Sequence, residues 1–209
     1  MNQPRLVTTS QGDAISTTWD FEAAPSPRQC GGCTLCCKLL PIAAFEKPAG
    51  LPCPHQRHGK GCRIYERRPL ECGLWSCRWL SAPEETAGMR RPDRARYAID
   101  PMLDEIRITP NPGVEGTPQT YPSLQVWCDP AHRDALVKDP ELLGYLERMR
   151  QAHGVTAATL RWSNTDATVL LYSQADADAA PRWQAVSSTV NPKIGNFAKL
   201  SRRVQERLR

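Results

Sequence analysis

Residues 30–37 read Cys30-Gly31-Gly32-Cys33-Thr34-Leu35-Cys36-Cys37, a C-x2-C-x2-CC run. A Cys-x2-Cys turn that contains glycines directs two sulfur atoms towards one ion, and such turns are typical of zinc knuckles and iron–sulfur loops. Four more cysteines follow downstream, Cys53, Cys62, Cys72 and Cys77. Eight sulfurs can form two tetrahedral sites of four, or one site with spare thiols. This window therefore predicts a metal-binding module.

The rest of the composition is that of an ordinary globular chain. The 209 residues suit one domain, or a small domain with an appendage. Apolar residues make up 40%, and no run approaches the ~18 uninterrupted apolar residues of a membrane span. Nineteen prolines against three phenylalanines indicate a loop-rich molecule with modest cores. The moderate charge argues against wholesale disorder.

A disulfide framework is the main alternative for clustered cysteines. Residues 1–29 lack the basic and apolar regions of a secretory signal, so we expect a cytoplasmic location, where thiols stay reduced. Cys36 and Cys37 are adjacent, and disulfide geometry rarely joins neighbours. Unligated thiols at this density would also be exposed to oxidation. Metal ligation is therefore favoured over disulfides.

Together with the first run and Cys53, the segment CRIYERRPLECGLWSC at residues 62–77 resembles the YkgJ-type cysteine-cluster family. That family is described as a zinc- or iron-chelating CxxCxxCC domain and as iron–sulfur-cluster proteins. Ile64-Tyr65 and Arg68-Pro69 also match, and the resemblance covers about residues 28–82. It implies that the ligands are Cys30, Cys33, Cys36, Cys37, Cys53, Cys62, Cys72 and Cys77. Some related proteins, including flagellin lysine methylases, carry the same cluster, so the resemblance implies metal binding rather than one reaction.

The identity of the metal follows in part from the donor atoms. Sulfur-only ligation excludes calcium and magnesium, which prefer oxygen, and leaves zinc, iron and iron–sulfur clusters, with copper(I) a weaker candidate. The spacing of Cys30, Cys33 and Cys36, with a distal Cys53-Pro54, is typical of ferredoxins and favours iron–sulfur. Zinc is the alternative, because four cysteines also form closed structural zinc sites. The division of the eight sulfurs between sites stays open.

Polar residues beside the cysteines are candidates for supporting roles. His55 and His58 could supply nitrogen ligands, although a plain polar loop is the favoured interpretation. Arg68 is the best candidate for a cation that contacts the thiolates, among the four arginines Arg63, Arg67, Arg68 and Arg78. Tyr65 could donate to a ligand, but a core ring is favoured. Pro69 predicts the start of a short helix that carries Cys72 and Cys77.

The segments predict an α+β fold, in which a small loop-rich cysteine module, stabilised by metal, packs with a small antiparallel sheet and helix. The predicted division is a polar, flexible segment at 1–29, the cysteine module at 30–82, a linker or surface loop at 83–94, an α+β unit at 95–175, and a loop with a basic amphipathic helix at 176–209.

Within the α+β unit, the clearest element is a helix. It begins at Asp139-Pro140 and ends at Gly154. Short strands are predicted at 95–99, 105–109 and 124–128, with a proline-rich loop at 110–122. Strands at 155–162 and 167–172 form a hairpin around 163–166. Cys128 is predicted to be a small buried residue rather than a ligand.

Charge and motifs limit the function classes. The net charge of +5 comes from 27 Lys and Arg against 22 Asp and Glu, and thiolate–metal sites of about −2 each would cancel most of it. The basic C-terminal helix lacks an aromatic-rich face, which argues against nucleic acid as a partner. No nucleotide loop or hydrolase triad is present. A metal-binding protein with a redox role is favoured, and an iron–sulfur oxidoreductase is one form of it. The alternatives are a zinc module that binds a protein partner and a protein-modifying, lysine-methylase-like enzyme.

Overall fold

The computed structural model describes residues 5–11, 14–20, 26–108, 117–173 and 182–186. The strands of these segments are β1 Arg5–Gln11, β2 Ala14–Asp20, β3 Gln56–Arg57, β4 Gly61–Cys62, β5 Tyr97–Ile108, β6 Gln119–Cys128, β7 Ala157–Arg161, β8 Ala167–Ser173 and β9 Arg182–Val186. The α-helices are α1 Leu35–Leu39, α2 Leu70–Leu74, α3 Arg78–Ser81, α4 Pro92–Ala95, α5 Arg133–Leu136 and α6 Pro140–His153. No helix of the described segments is long and apolar enough to cross a membrane.

The main sheet has five strands in the order β5-β6-β7-β8-β9. Helices with a mixed sheet confirm the α+β class. The prediction of an antiparallel sheet is wrong for one pair, because β6 and β7 run parallel while the other neighbours are antiparallel. The physical reason is α6, which connects β6 to β7 and returns the chain to the end where β6 began.

Helix α6 has the predicted ends. The Asp139 carboxylate accepts a hydrogen bond from the Leu142 backbone N–H at 2.9 Å, and Gly154 ends the helix with a φ of 64°. Its apolar face is buried against the sheet at Leu142, Tyr145, Leu146 and Met149. Cys128 belongs to the same core, so its prediction as a buried small residue is confirmed.

Several strands differ in length from their predictions. One strand, β5, replaces the two predicted at 95–99 and 105–109, and its register shifts between Ile99 and Leu103, beside Pro101. Strand β6 begins inside the predicted loop at 110–122. The hairpin of β7 and β8 is confirmed by pairs from Ala157↔Leu171 to Arg161↔Ala167.

The two ends of the chain carry strands that the sequence analysis did not predict. Strands β1 and β2 pair antiparallel in the segment expected to be flexible. Strand β9 pairs with β8 within the range 176–209, where a loop and helix were predicted. The predicted basic helix at 193–209 lies outside the described residues.

The cysteine module packs directly on the sheet. A core of Cys33, Leu35, Leu39 and Trp75 includes Ala98 of β5 and Trp127 of β6. The segment predicted as a linker or surface loop at 83–94 has a buried residue, Thr86, whose hydroxyl accepts from the Arg28 guanidinium at 2.7 Å, and the same guanidinium donates to the Trp79 carbonyl at 2.6 Å. The module and the sheet therefore share one interior.

Candidate metal centre

All eight predicted ligands line one pocket of about 380 Å³. They come from separate elements: Cys30 and Cys33 from the loop before α1, Cys36 and Cys37 from α1, Cys53 and Cys62 from the β3–β4 region, Cys72 from α2, and Cys77 from the residue before α3. All nine cysteines of the chain are free thiols. The fold thus gathers the eight clustered thiols and buries the ninth, Cys128, elsewhere.

Two glycines allow the first cysteine turn to meet the β3–β4 hairpin. A Cβ atom on Gly32 would lie 2.5 Å from the Gly59 carbonyl oxygen, and one on Gly61 would lie 2.6 Å from the Gly31 carbonyl oxygen. Real side chains do not tolerate such contacts. A backbone hydrogen bond of 2.9 Å from the Cys33 N–H to the Cys30 carbonyl closes the turn. Glycine at these positions therefore lets the turn that carries Cys30 and Cys33 approach the hairpin that carries Cys62.

The Cys36 thiol is in hydrogen-bond contact with both Cys30 and Cys37. These contacts lower the pKa of Cys30 and lower that of Cys37 to about 7, while they raise the pKa of Cys36. Burial raises the pKa of Cys72 and of Cys77 to about 12. Thiols in this setting lose their protons most readily to a bound cation, which replaces the proton's charge.

The kind and the number of donor atoms in this pocket suit a metal, although their present arrangement does not. Among the described residues, no three His, Cys, Asp or Glu side chains are arranged to hold a metal ion as they stand. Eight thiols on one pocket nevertheless suit zinc, iron or an iron–sulfur cluster, each of which accepts four cysteines. Ligation would require the thiols to rotate towards a common centre.

Lys47 is a pocket residue that the sequence analysis missed. It is 6% exposed, and its ammonium donates to the carbonyls of Pro48 at 2.8 Å, Lys38 at 3.2 Å and Leu40. Burial lowers its pKa, while neighbouring thiols, led by Cys53 and Cys37, act in the opposite direction. Nothing local in the sequence marks this lysine, because the backbone bridge between Ile42 and Lys47 that positions it is a feature of the fold.

The opposite wall of the pocket comes from the sheet. The Asp100 carboxylate accepts from the Trp75 indole at 3.2 Å and from the Met102 N–H at 3.0 Å, and burial raises its pKa to about 6. Beside it, Gln125 donates to Asp104 at 2.6 Å and accepts from Arg161 at 2.7 Å. These residues also were missed, because their strands carried no motif.

Of the polar residues predicted to support the ligands, some lie on the pocket and others do not. Arg68 lies on the pocket, near enough to Cys30 to lower its pKa, and stacks 4.1 Å above the Tyr65 ring. Tyr65 is 41% exposed, so its prediction as a core ring is wrong, because its ring packs under a surface arginine. His55 lines the pocket and packs at a tilt against the Phe45 ring, whereas His58 is exposed.

Two further expectations for this region are corrected. Arg78 does not line the pocket. It is fully buried, pairs with Glu85 at 2.8 Å and donates to the Pro101 carbonyl at 2.9 Å. The single helix predicted to carry Cys72 and Cys77 is two short helices, since Trp75 has extended backbone angles and ends α2.

Comparison with known proteins adds no family: no family model, curated protein or solved structure matches this chain.

Proposed function

We propose that this chain is a metal-binding protein that holds iron–sulfur clusters or zinc through its eight clustered cysteines. The observation that carries the proposal is the single pocket lined by thiols from residues 30–77. A fold without use for these thiols would have little reason to bring them together from five separate parts of the chain. We propose a cytoplasmic location as well, because reduced thiols are needed for this chemistry.

Iron–sulfur is the favoured form, with a redox role. The ferredoxin-like spacing of the first three cysteines supports it. So does the pocket, because its many apolar residues and the buried Lys47 ammonium are features that tune the potential of a cluster.

Anaerobic purification of the full chain, with elemental analysis and a visible absorption spectrum, tests the proposal. The expected protein is brown, with stoichiometric iron and acid-labile sulfide. A Cys128→Ser variant is the control and should keep its full cluster content. Colourless protein with about two zinc ions per chain, unchanged by iron reconstitution, would select the zinc form. Protein that takes up neither metal would refute the proposal.

A structural zinc module that binds a protein partner is the second candidate. Three large apolar side chains are exposed on the cysteine module, Leu51 at 57%, Leu70 at 46% and Tyr65 at 41%. Exposed apolar residues indicate an interaction role where they form one contiguous patch, and these three are the candidates for such a patch. The zinc outcome of the experiment above would favour this candidate.

A further inference from the structure

We infer that the eight thiols form two separate four-cysteine sites, an inner site of Cys30, Cys33, Cys36 and Cys77 and an outer site of Cys37, Cys53, Cys62 and Cys72. This division rests on the proposed metal-binding function and deepens it. It differs from the ferredoxin-like grouping, in which Cys53 would complete the set of Cys30, Cys33 and Cys36.

The inner site surrounds a small cavity. Next to the main pocket lies a cavity of about 20 Å³, and the cysteines that line it are the four inner ones. Its other walls are Trp79, Leu80, Pro92 and Ala98. The four inner cysteines therefore border one small space whose other walls are apolar, as suits a structural tetrathiolate site.

The outer site is held together by backbone hydrogen bonds. The Cys53 N–H donates to the Cys37 carbonyl at 3.0 Å, which fixes these two residues side by side. The Cys53 carbonyl accepts from the Gln56 N–H at 3.0 Å, and Gln56 pairs with Cys62 across the β3–β4 hairpin. Cys53 is therefore connected directly to Cys37 and, through Gln56, to Cys62.

Cys72 and Lys47 complete the outer group. Cys72 is the one clustered cysteine that neither lines the small cavity nor belongs to the hydrogen-bonded set of Cys37, Cys53 and Cys62, so it supplies the fourth outer ligand. Burial and nearby negative groups, Cys37, Cys53 and Cys62 among them, raise its pKa. Lys47 faces three outer thiols together with Cys36, so its charge lies on the outer side of the cluster.

The split falls between two adjacent residues of α1. Neighbouring residues on an α-helix point about 100° apart, since a turn takes 3.6 residues. Cys36 and Cys37 can therefore serve two centres more readily than one. Cys36 contacts Cys37 as well as Cys30, which places it at the boundary, and the small cavity assigns it to the inner site.

Cadmium-113 NMR of the full chain tests the division without any substitution. The chain is reduced, stripped of native metal and loaded with cadmium under anaerobic conditions. Two resonances in the tetrathiolate range are expected. Proton–cadmium correlation should connect one to the β-protons of the four inner cysteines and the other to those of the four outer cysteines. A cadmium coupled to Cys53 together with Cys30, or thiols shared between two ions, would overturn the division.

Paired substitutions give an independent measurement, with cobalt(II) as the probe. Cys33→Ser with Cys77→Ser removes two inner ligands and should leave one intact tetrathiolate spectrum, about half the wild-type intensity. Cys33→Ser with Cys62→Ser removes one ligand from each site and should leave none. The division is contradicted if Cys33→Ser with Cys77→Ser leaves no tetrathiolate spectrum, or if Cys33→Ser with Cys62→Ser leaves one intact. Wild-type chain that binds no cadmium or cobalt would instead refute the proposed function, so the two failures are distinguishable.

Discussion

A buried ammonium beside thiolates is the residue with the clearest electrostatic role. Lys47 is held by three backbone carbonyls and lies near the outer cysteines, so its charge would offset the negative charge of the proposed metal site. An opposite charge about 5 Å away at an effective dielectric constant near 20 is worth roughly 3 kcal/mol before competing losses.

Replacing this lysine should weaken metal binding. We expect Lys47→Met, which keeps the length of the side chain and removes its charge, to reduce the affinity of one of the two sites by about tenfold or more. Competition with a chelator of known affinity measures the effect. The control is Lys60→Met, at an exposed lysine of the same module. Equal affinities for both variants and the wild type would show that the charge of Lys47 does not act on the metal.

Asp100 gives a prediction for pH. Its pKa is raised to about 6 by burial and by Asp104, against the Trp75 and Met102 hydrogen bonds and Arg78, which favour the charged form. A raised carboxyl pKa means that the folded state holds the proton more tightly than the unfolded state. The contribution of Asp100 to stability is therefore lost as pH rises from about 4 to 6.

Carbon-13 NMR of the Asp100 carboxyl group should show titration near pH 6. Trp75→Phe removes the indole donor, which stabilises the carboxylate, so this midpoint should move to higher pH. Trp162→Phe, at a buried tryptophan packed on the other face of the sheet, is the control. A midpoint near 4 in the wild type would contradict the assigned environment.

At the scale of elements, the contact between the first cysteine turn and the β3–β4 hairpin is the most sensitive. Gly61 and Gly59 both have positive φ, 86° and 67°, but a Cβ atom would clash at Gly61 and meet nothing within 4 Å at Gly59. Alanine at either position carries a backbone cost of roughly 1 kcal/mol.

The two glycines therefore form a matched pair. We expect Gly61→Ala to be destabilising by about 1–3 kcal/mol more than Gly59→Ala, because the hairpin must move away from Gly31. Thermal unfolding and metal content of the two variants provide the comparison. If both variants melt together and keep their metal, the close approach is not required.

The elements also show how far sequence patterns reach. Helix α6 was predictable because its ends are set locally, by the side chain of Asp139 and by the conformation of Gly154. The parallel pairing of β6 with β7 was not, since it depends on where α6 returns the chain. A common site for the cysteines could be predicted because eight of them lie close together in the sequence. Lys47 and Asp100 could not be predicted, because they reach the pocket through tertiary contacts that leave no pattern in the sequence.

At the scale of the whole molecule, the proposed ligands adjoin one core and not the other. The core between α6 and the sheet contains none of the eight clustered cysteines. The core of Cys33, Leu35, Leu39 and Trp75 includes one of them and has two others packed against it. Small loop-rich modules gain their folding energy from bound metal.

Metal removal should therefore act unevenly. After chelation under reducing conditions, we expect amide hydrogen exchange to accelerate at least tenfold across residues 30–77, while α6 and β7 keep their protection. Readdition of metal is the control and should restore the slow exchange. Uniform loss of protection over both regions would show that the sheet, too, depends on the metal.

The shared interior has a consequence for modularity. Ala98 and Trp127 complete the core beside Cys33, and Arg28 donates both to the Trp79 carbonyl and to the Thr86 hydroxyl that lies beyond the module. A fragment that ends at residue 82 would contain every proposed ligand but would lack Ala98 and Trp127, against which the cysteine module packs. The cysteine segment is therefore not an independent folding unit. Transferred alone to another protein, it would bring the proposed ligands without the strands that they pack against.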